Sequence, residues 1–79
     1  SYFENAIRID EECGCLLNLA ETCMDYGLAC ARRDENEQGR ELLKRSLTIF
    51  QRLKASANEQ KVKSYLAEVK EEATASRRG

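Results

Sequence analysis

The sequence has no proline, no histidine and no tryptophan, and only four glycines in 79 residues. Without proline, and with little glycine, few positions would interrupt a long helix. Aromatics make up only 6% of the chain and β-branched residues are scattered, so no alternating strand pattern emerges. The missing histidine removes the commonest general base and any Ser–His or Cys–His nucleophile pair within the chain. There is no glycine-rich phosphate loop. No apolar run approaches the roughly 20 residues that span a bilayer, and no signal-peptide pattern is present. These absences argue against an enzyme, and no catalytic residue, cofactor or membrane association is expected.

What is present is mostly Leu, Ala, Glu, Lys, Arg and Gln, all good helix formers. The length allows one domain with a modest core. Charge is nearly balanced at −1 overall but is unevenly placed. Residues 1–39 carry a net −6 and residues 40–79 a net +5, which suits complementary helix surfaces within one fold. Arg40, Lys44, Arg45, Arg52, Lys54, Lys61 and Lys63 form a basic stretch. It is split over two helices and interleaved with apolar positions, and the acidic half would repel a duplex, so nucleic-acid binding is not expected.

The four cysteines have the spacing C-x-C-x7-C-x6-C at Cys13, Cys15, Cys23 and Cys30. Structural zinc sites usually pair cysteines two to four residues apart on converging turns. On one helix, Cys15 and Cys30 would stand about 22 Å apart, too far for one ion or one disulfide. No metal site is expected. The thiols read as small apolar residues of a chain kept in a reducing compartment, the cytoplasm or the nucleus.

Helical periodicity divides the chain into four segments. Tyr2, Phe3, Ala6 and Ile7 begin a short helix, with Asp10-Glu11-Glu12 as the expected break and Asp10 as the next cap. From about Glu11 to Arg33, Cys15, Leu19, Cys23, Tyr26 and Cys30 make one stripe at steps of four, four, three and four. Gly27 is expected to lie inside this helix, because Leu28-Ala29-Cys30-Ala31 is too apolar for an exposed loop. Asp34-Glu35-Asn36-Glu37 is the clearest turn. A third helix is expected over about Gln38–Ala55, burying Leu43, Leu47, Phe50 and the Lys54 stem. Ser56-Ala57-Asn58 is a second short turn with Ser56 or Asn58 as the expected cap, and after it a fourth helix runs to about Ala75 with Val62, Tyr65, Leu66, Val69 and Ala73 on one face. The expected fold is all-α, an antiparallel helical hairpin stack of about four helices. Residues 1–76 form a single domain, with a partial repeat at 1–10, a hairpin at 11–55, a capping helix at 58–75 and a disordered tail at 77–79.

Phe3, Ala6, Ile7 and Asp10 resemble the end of the second helix of a tetratricopeptide repeat, with Glu11 where that family often has proline. Leu16 to Cys23 is similar to the family's first-helix pattern, with Ala20 at its small position and Gly27 near its turn glycine. Leu43, Ser46 and Leu47 echo Phe3, Ala6 and Ile7 at a spacing of 40, longer than the usual 34. The closing helices also look somewhat like a microtubule-interacting-and-trafficking domain, a three-helix bundle that binds short helical peptides. The chain starts inside an amphipathic pattern without an initiator Met, which reads as a piece of a longer protein.

The tetratricopeptide resemblance implies a protein-interaction scaffold whose first helices line a groove for a partner peptide or helix. On this sequence Leu17, Glu21, Met24 and Asp25 would line it. The lysine and asparagine with which some members clamp a terminal carboxylate are replaced by Leu17 and Glu21, so no such clamp is expected. Two alternatives stand beside this reading. The four residues could simply pack on the last helix, or the domain could be a structural bundle that forms a homo-oligomer through an exposed apolar stripe.

Overall fold

A computed structural model of the chain describes residues 2–69. Four helices follow one another, α1 (Tyr2–Cys13), α2 (Leu16–Arg32), α3 (Asn36–Arg52) and α4 (Ser56–Glu68). Each packs antiparallel on the one before it, giving the all-α hairpin stack that the periodicity predicts. Among the described residues there is no strand, and no helix is long and apolar enough to cross a membrane.

The connections share one geometry at a spacing of twenty residues. Gly14, Asp34 and Lys54 take left-handed backbone angles, with φ of 74°, 63° and 58°. Past α1, the Cys15 amide donates to the Asp10 carbonyl at 3.0 Å and the Gly14 amide to Glu11 at 3.3 Å. Glu35 and Asp34 repeat this on Cys30 and Ala31, and Ala55 and Lys54 on Phe50 and Gln51. These are Schellman closures, which satisfy the last carbonyls of each helix. The next residue then opens the following helix, so α2, α3 and α4 start at 16, 36 and 56. The spacing of 40 in the sequence is thus two helix-plus-turn units.

Several expected boundaries move as a result. Asp10-Glu11-Glu12 does not break α1, which runs on to Cys13. Charged residues do not end a helix by themselves; Gly14 does, because it adopts positive φ without steric cost. Asp10 therefore caps nothing, and its carboxylate instead accepts a hydrogen bond from the Thr22 hydroxyl at 3.2 Å. The second turn lies at 33–35, so α3 starts at Asn36 rather than Gln38. Lys54 does not bury its stem. It is exposed in the left-handed turn, where a residue with a Cβ costs roughly 1–2 kcal/mol. Ala55 holds the cap position of α4, which has no side-chain cap bond, and not Ser56 or Asn58. Val69 is extended with ψ 126°, so α4 ends at Glu68. The expectations for Ala73, the end at Ala75 and the tail at 77–79 fall outside the described residues.

The core sits between α2, α3 and α4. Ala20, Leu43, Phe50 and Val62 are fully buried, with Val69 nearly so, and Met24, Leu47, Tyr65 and Leu66 pack against them. The α2 stripe is buried as its spacing requires, at Leu19, Cys23, Tyr26 and Cys30. Ser46 is buried beside Leu43 and donates its hydroxyl to the Leu43 carbonyl at 2.7 Å, which satisfies the polar group. α2 and α3 approach unusually closely where Gly27 meets Gly39. α1 is held more lightly and has no fully buried residue. Phe3 stacks on Tyr26 with centroids 5.0 Å apart. The Tyr26 hydroxyl donates to Glu4 and accepts from the Gln38 amide. Glu11 pairs with Arg45 on α3.

Candidate functional site

Helices α2 and α4 run in the same direction on one side of α3. Where α3 holds them apart, a groove of about 420 Å³ opens between their C-terminal ends. Leu28, Ala31 and Arg32 of α2 form one wall, Tyr65, Glu68 and Val69 of α4 the other, and Asp34 and Asn36 close the end. Leu28, Ala31, Tyr65 and Val69 are buried or half-buried, whereas the charged Arg32, Asp34 and Glu68 are exposed.

Of the four residues singled out from the sequence, none lines this groove. Leu17 is 49% exposed, an apolar side chain in water on the first turn of α2. Glu21 and Asp25 are also exposed. Met24 is half-buried against the core cluster that includes Val62 and Val69 of α4. Leu17, Glu21, Met24 and Leu28 recur at steps of four, three and four, so they share one face of α2. Arg32 follows Leu28 by four. The groove is thus the C-terminal continuation of that face. Leu28 and Arg32 could have been found by extending the helical step. Tyr65 could not, because its place opposite Leu28 depends on how α4 packs.

The thiols occupy three different settings. Cys13 is exposed at the end of α1, Cys15 is half-buried in the first turn, and Cys23 and Cys30 are buried in α2. Among the described residues no three His, Cys, Asp or Glu side chains come together as a metal site. The Cys13 thiol beside Cys15 pushes the latter's pKa up, with burial acting the same way. Burial is the main cause that raises Cys23 and Cys30; Arg45 opposes it at Cys23 and Arg33 at Cys30. The Tyr26 phenol is raised by burial and by Glu4. The folded chain therefore keeps Cys23, Cys30 and Tyr26 protonated, while an unfolded thiol ionises near about 8.5. Because the folded values are raised, this stability is fully present below about pH 8.5 and is lost as pH rises through the folded values. Urea midpoints should fall between about pH 7 and about pH 10, and the fall should shrink in a Cys23→Ala, Cys30→Ala variant. A midpoint that does not move over this range would contradict the assignment.

No family model, curated protein or solved structure matches the chain.

Proposed function

We propose that this chain is a protein-interaction scaffold of the tetratricopeptide-like kind, taking a partner peptide or helix into the groove between α2 and α4. The observation that carries the reading is the groove itself, of about 420 Å³, between two same-sense helices whose starts lie 40 residues apart. Concave sites with apolar walls and a few polar groups at the rim are the usual form of a recognition surface. Leu28 and Tyr65 would supply the apolar contact, and Arg32 and Glu68 would fix orientation by charge. Leu17, Glu21 and Asp25 would extend the surface along α2 for a longer partner. Four unpaired thiols, two of them buried, fit a reducing compartment such as the cytoplasm or nucleus.

The reading is tested by selecting peptides from a displayed random library against the chain and mapping them by amide chemical shifts. Selected peptides should shift the amides around Leu28, Arg32 and Tyr65, and Leu28→Glu should weaken them about tenfold or more. Selected peptides that map to α1 or to the far side of α3 would overturn it. So would a library that yields nothing binding better to the parent chain than to Leu28→Glu.

A further inference from the structure

We propose that Cys13 and Cys15 form a redox-active dithiol, which closes reversibly to a disulfide across the turn between α1 and α2. The geometry comes from the residue between them. Gly14, with φ 74°, follows the last residue of α1, and Cys15 precedes the first residue of α2. Backbone hydrogen bonds fix the turn, from the Cys15 amide to the Asp10 carbonyl and from the Gly14 amide to the Glu11 carbonyl. A residue at helical angles of either hand sets the Cα atoms of its two neighbours about 5.4 Å apart. Disulfides join Cα atoms about 4.4–6.8 Å apart. Cys13 and Cys15 are thus spaced for a bond without movement of the backbone.

Side chains at these two positions meet. The turn at Asp34 has the same geometry, and the residues flanking it are Arg33 and Glu35, whose guanidinium and carboxylate approach to 3.4 Å. At the first turn the same positions hold two thiols. The Cys13 thiol is in hydrogen-bonding contact with that of Cys15, the first cause that raises the Cys15 pKa. Cys13 also reaches back to the Asp10 carbonyl at 3.7 Å. The other two thiols do not compete for either partner. Cys23 and Cys30 are buried, and Cys15, Cys23 and Cys30 follow one another along α2 at steps of about 10 Å or more.

The pair is open to small reagents. Cys13 is exposed and Cys15 half-buried. A Cβ built on Gly14 would meet nothing within 4 Å, so the outside of the turn is clear. This exposure belongs to the turn and not to the place of α1 in the stack. Arg33 and Leu53 hold the position of Cys13 at the other two turns, and both are exposed although a helix lies on either side of them in the chain.

Cys13, the more exposed thiol, makes the first attack on a low-molecular-weight disulfide. Its thiolate displaces one thiolate of the reagent and forms a mixed disulfide. The Cys15 thiolate then attacks the Cys13 sulfur and expels the second. Two protein thiols are oxidised to one disulfide, the reagent is reduced to two thiols, and the two protons pass to them. Asp10, Glu11 and Glu12 stand beside the pair, so an uncharged disulfide reacts more readily than an anionic one. The product lies at the surface, and exposed disulfides are readily reduced again, in keeping with a reducing compartment.

The test equilibrates the folded chain with mercaptoethanol and its disulfide, an uncharged pair, in varied ratio. Acid quenching, alkylation and cleavage after glutamate release residues 13–21, which contain Cys13 and Cys15 and no other cysteine. This fragment should lose two hydrogens while Cys23 and Cys30 are recovered alkylated. The equilibrium constant should be about tenfold or more greater for the folded chain than for the same chain in urea, because the turn holds the thiols together. Cys15→Ser should stop at the mixed disulfide on Cys13, and should form it faster than Cys13→Ser forms one on Cys15. A mixed disulfide on Cys13 as the end product of the parent chain would overturn the proposal. So would a Cys13–Cys13 link between two copies, or equal constants in buffer and in urea. A faster reaction of Cys13→Ser would overturn the order of attack.

Discussion

Gly39→Ala should destabilise this domain by about 2–3 kcal/mol, although alanine is the better helix former by roughly 1 kcal/mol. The reason is the approach of α2 to α3. A Cβ at Gly39 would stand 2.8 Å from the Gly27 carbonyl oxygen and 3.3 Å from the Ala31 nitrogen. Both are backbone atoms of a helix and cannot turn aside as the end of a side chain can. Gly27→Ala meets the reciprocal obstacle, 2.9 Å from the Gly39 carbonyl oxygen and 2.9 Å from the Leu43 Cγ. In both cases the helices must separate, loosening the core around Leu43. For a domain of this size such a loss lowers the melting temperature by roughly 10 °C or more. Urea unfolding of the two variants and the parent measures it directly. Gly14→Ala is a useful comparison, because no atom lies within 4 Å of a Cβ there and its strain comes only from φ of 74°. If Gly39→Ala is neutral or stabilising, the close crossing of α2 and α3 is wrong.

Phe50→Ala should cost about 3–5 kcal/mol, as removal of a buried aromatic ring generally does. Phe50 is fully buried and is the largest such side chain in the molecule's described part. It belongs to the cluster that contains Leu43, Val62 and Val69, so it joins α3 to α4. Its carbonyl also accepts the Ala55 amide that closes the turn between them. A chain of this length has of the order of 4–12 kcal/mol in total. The variant should therefore be close to unfolding at 37 °C, with loss of helical circular dichroism and of the groove formed with Tyr65. A loss below about 1 kcal/mol would mean that α4 is not packed on α3 through this ring.

The helices were legible because their signal is local. The stripe Leu19, Cys23, Tyr26 and Cys30 states which side of α2 is apolar, whatever later covers it. The same holds for Leu43 and Phe50 on α3, and for Val62 on α4. Gly27 was readable as a helix residue from the apolar run after it, but the use of having glycine there was not. That use is Gly39, twelve residues away on another helix, and nothing in its neighbourhood marks it. Three consecutive acidic residues look like a break, whereas Gly14, two positions on, has the backbone freedom that ends α1. The spacing of Lys54 places it on the buried face of α3, and the left-handed turn at its position overrides that spacing.

The candidate site divides along the same line. The face that carries Leu17, Glu21 and Met24 follows from the helical step, and so does its continuation through Leu28 to Arg32. That Met24 turns into the core while Leu28 opens on a groove depends on where Tyr65 and Val69 of α4 come to lie. Over the described residues the sequence alone determined that the chain is helical, the apolar side of each helix and the unit of 40 residues, because each depends on neighbours within a few turns. The tertiary structure decided which helix covers which side, how near two backbones approach at Gly27 and Gly39, and where a cavity is left between α2 and α4. Periodicity describes one helix at a time, and these properties belong to pairs of helices.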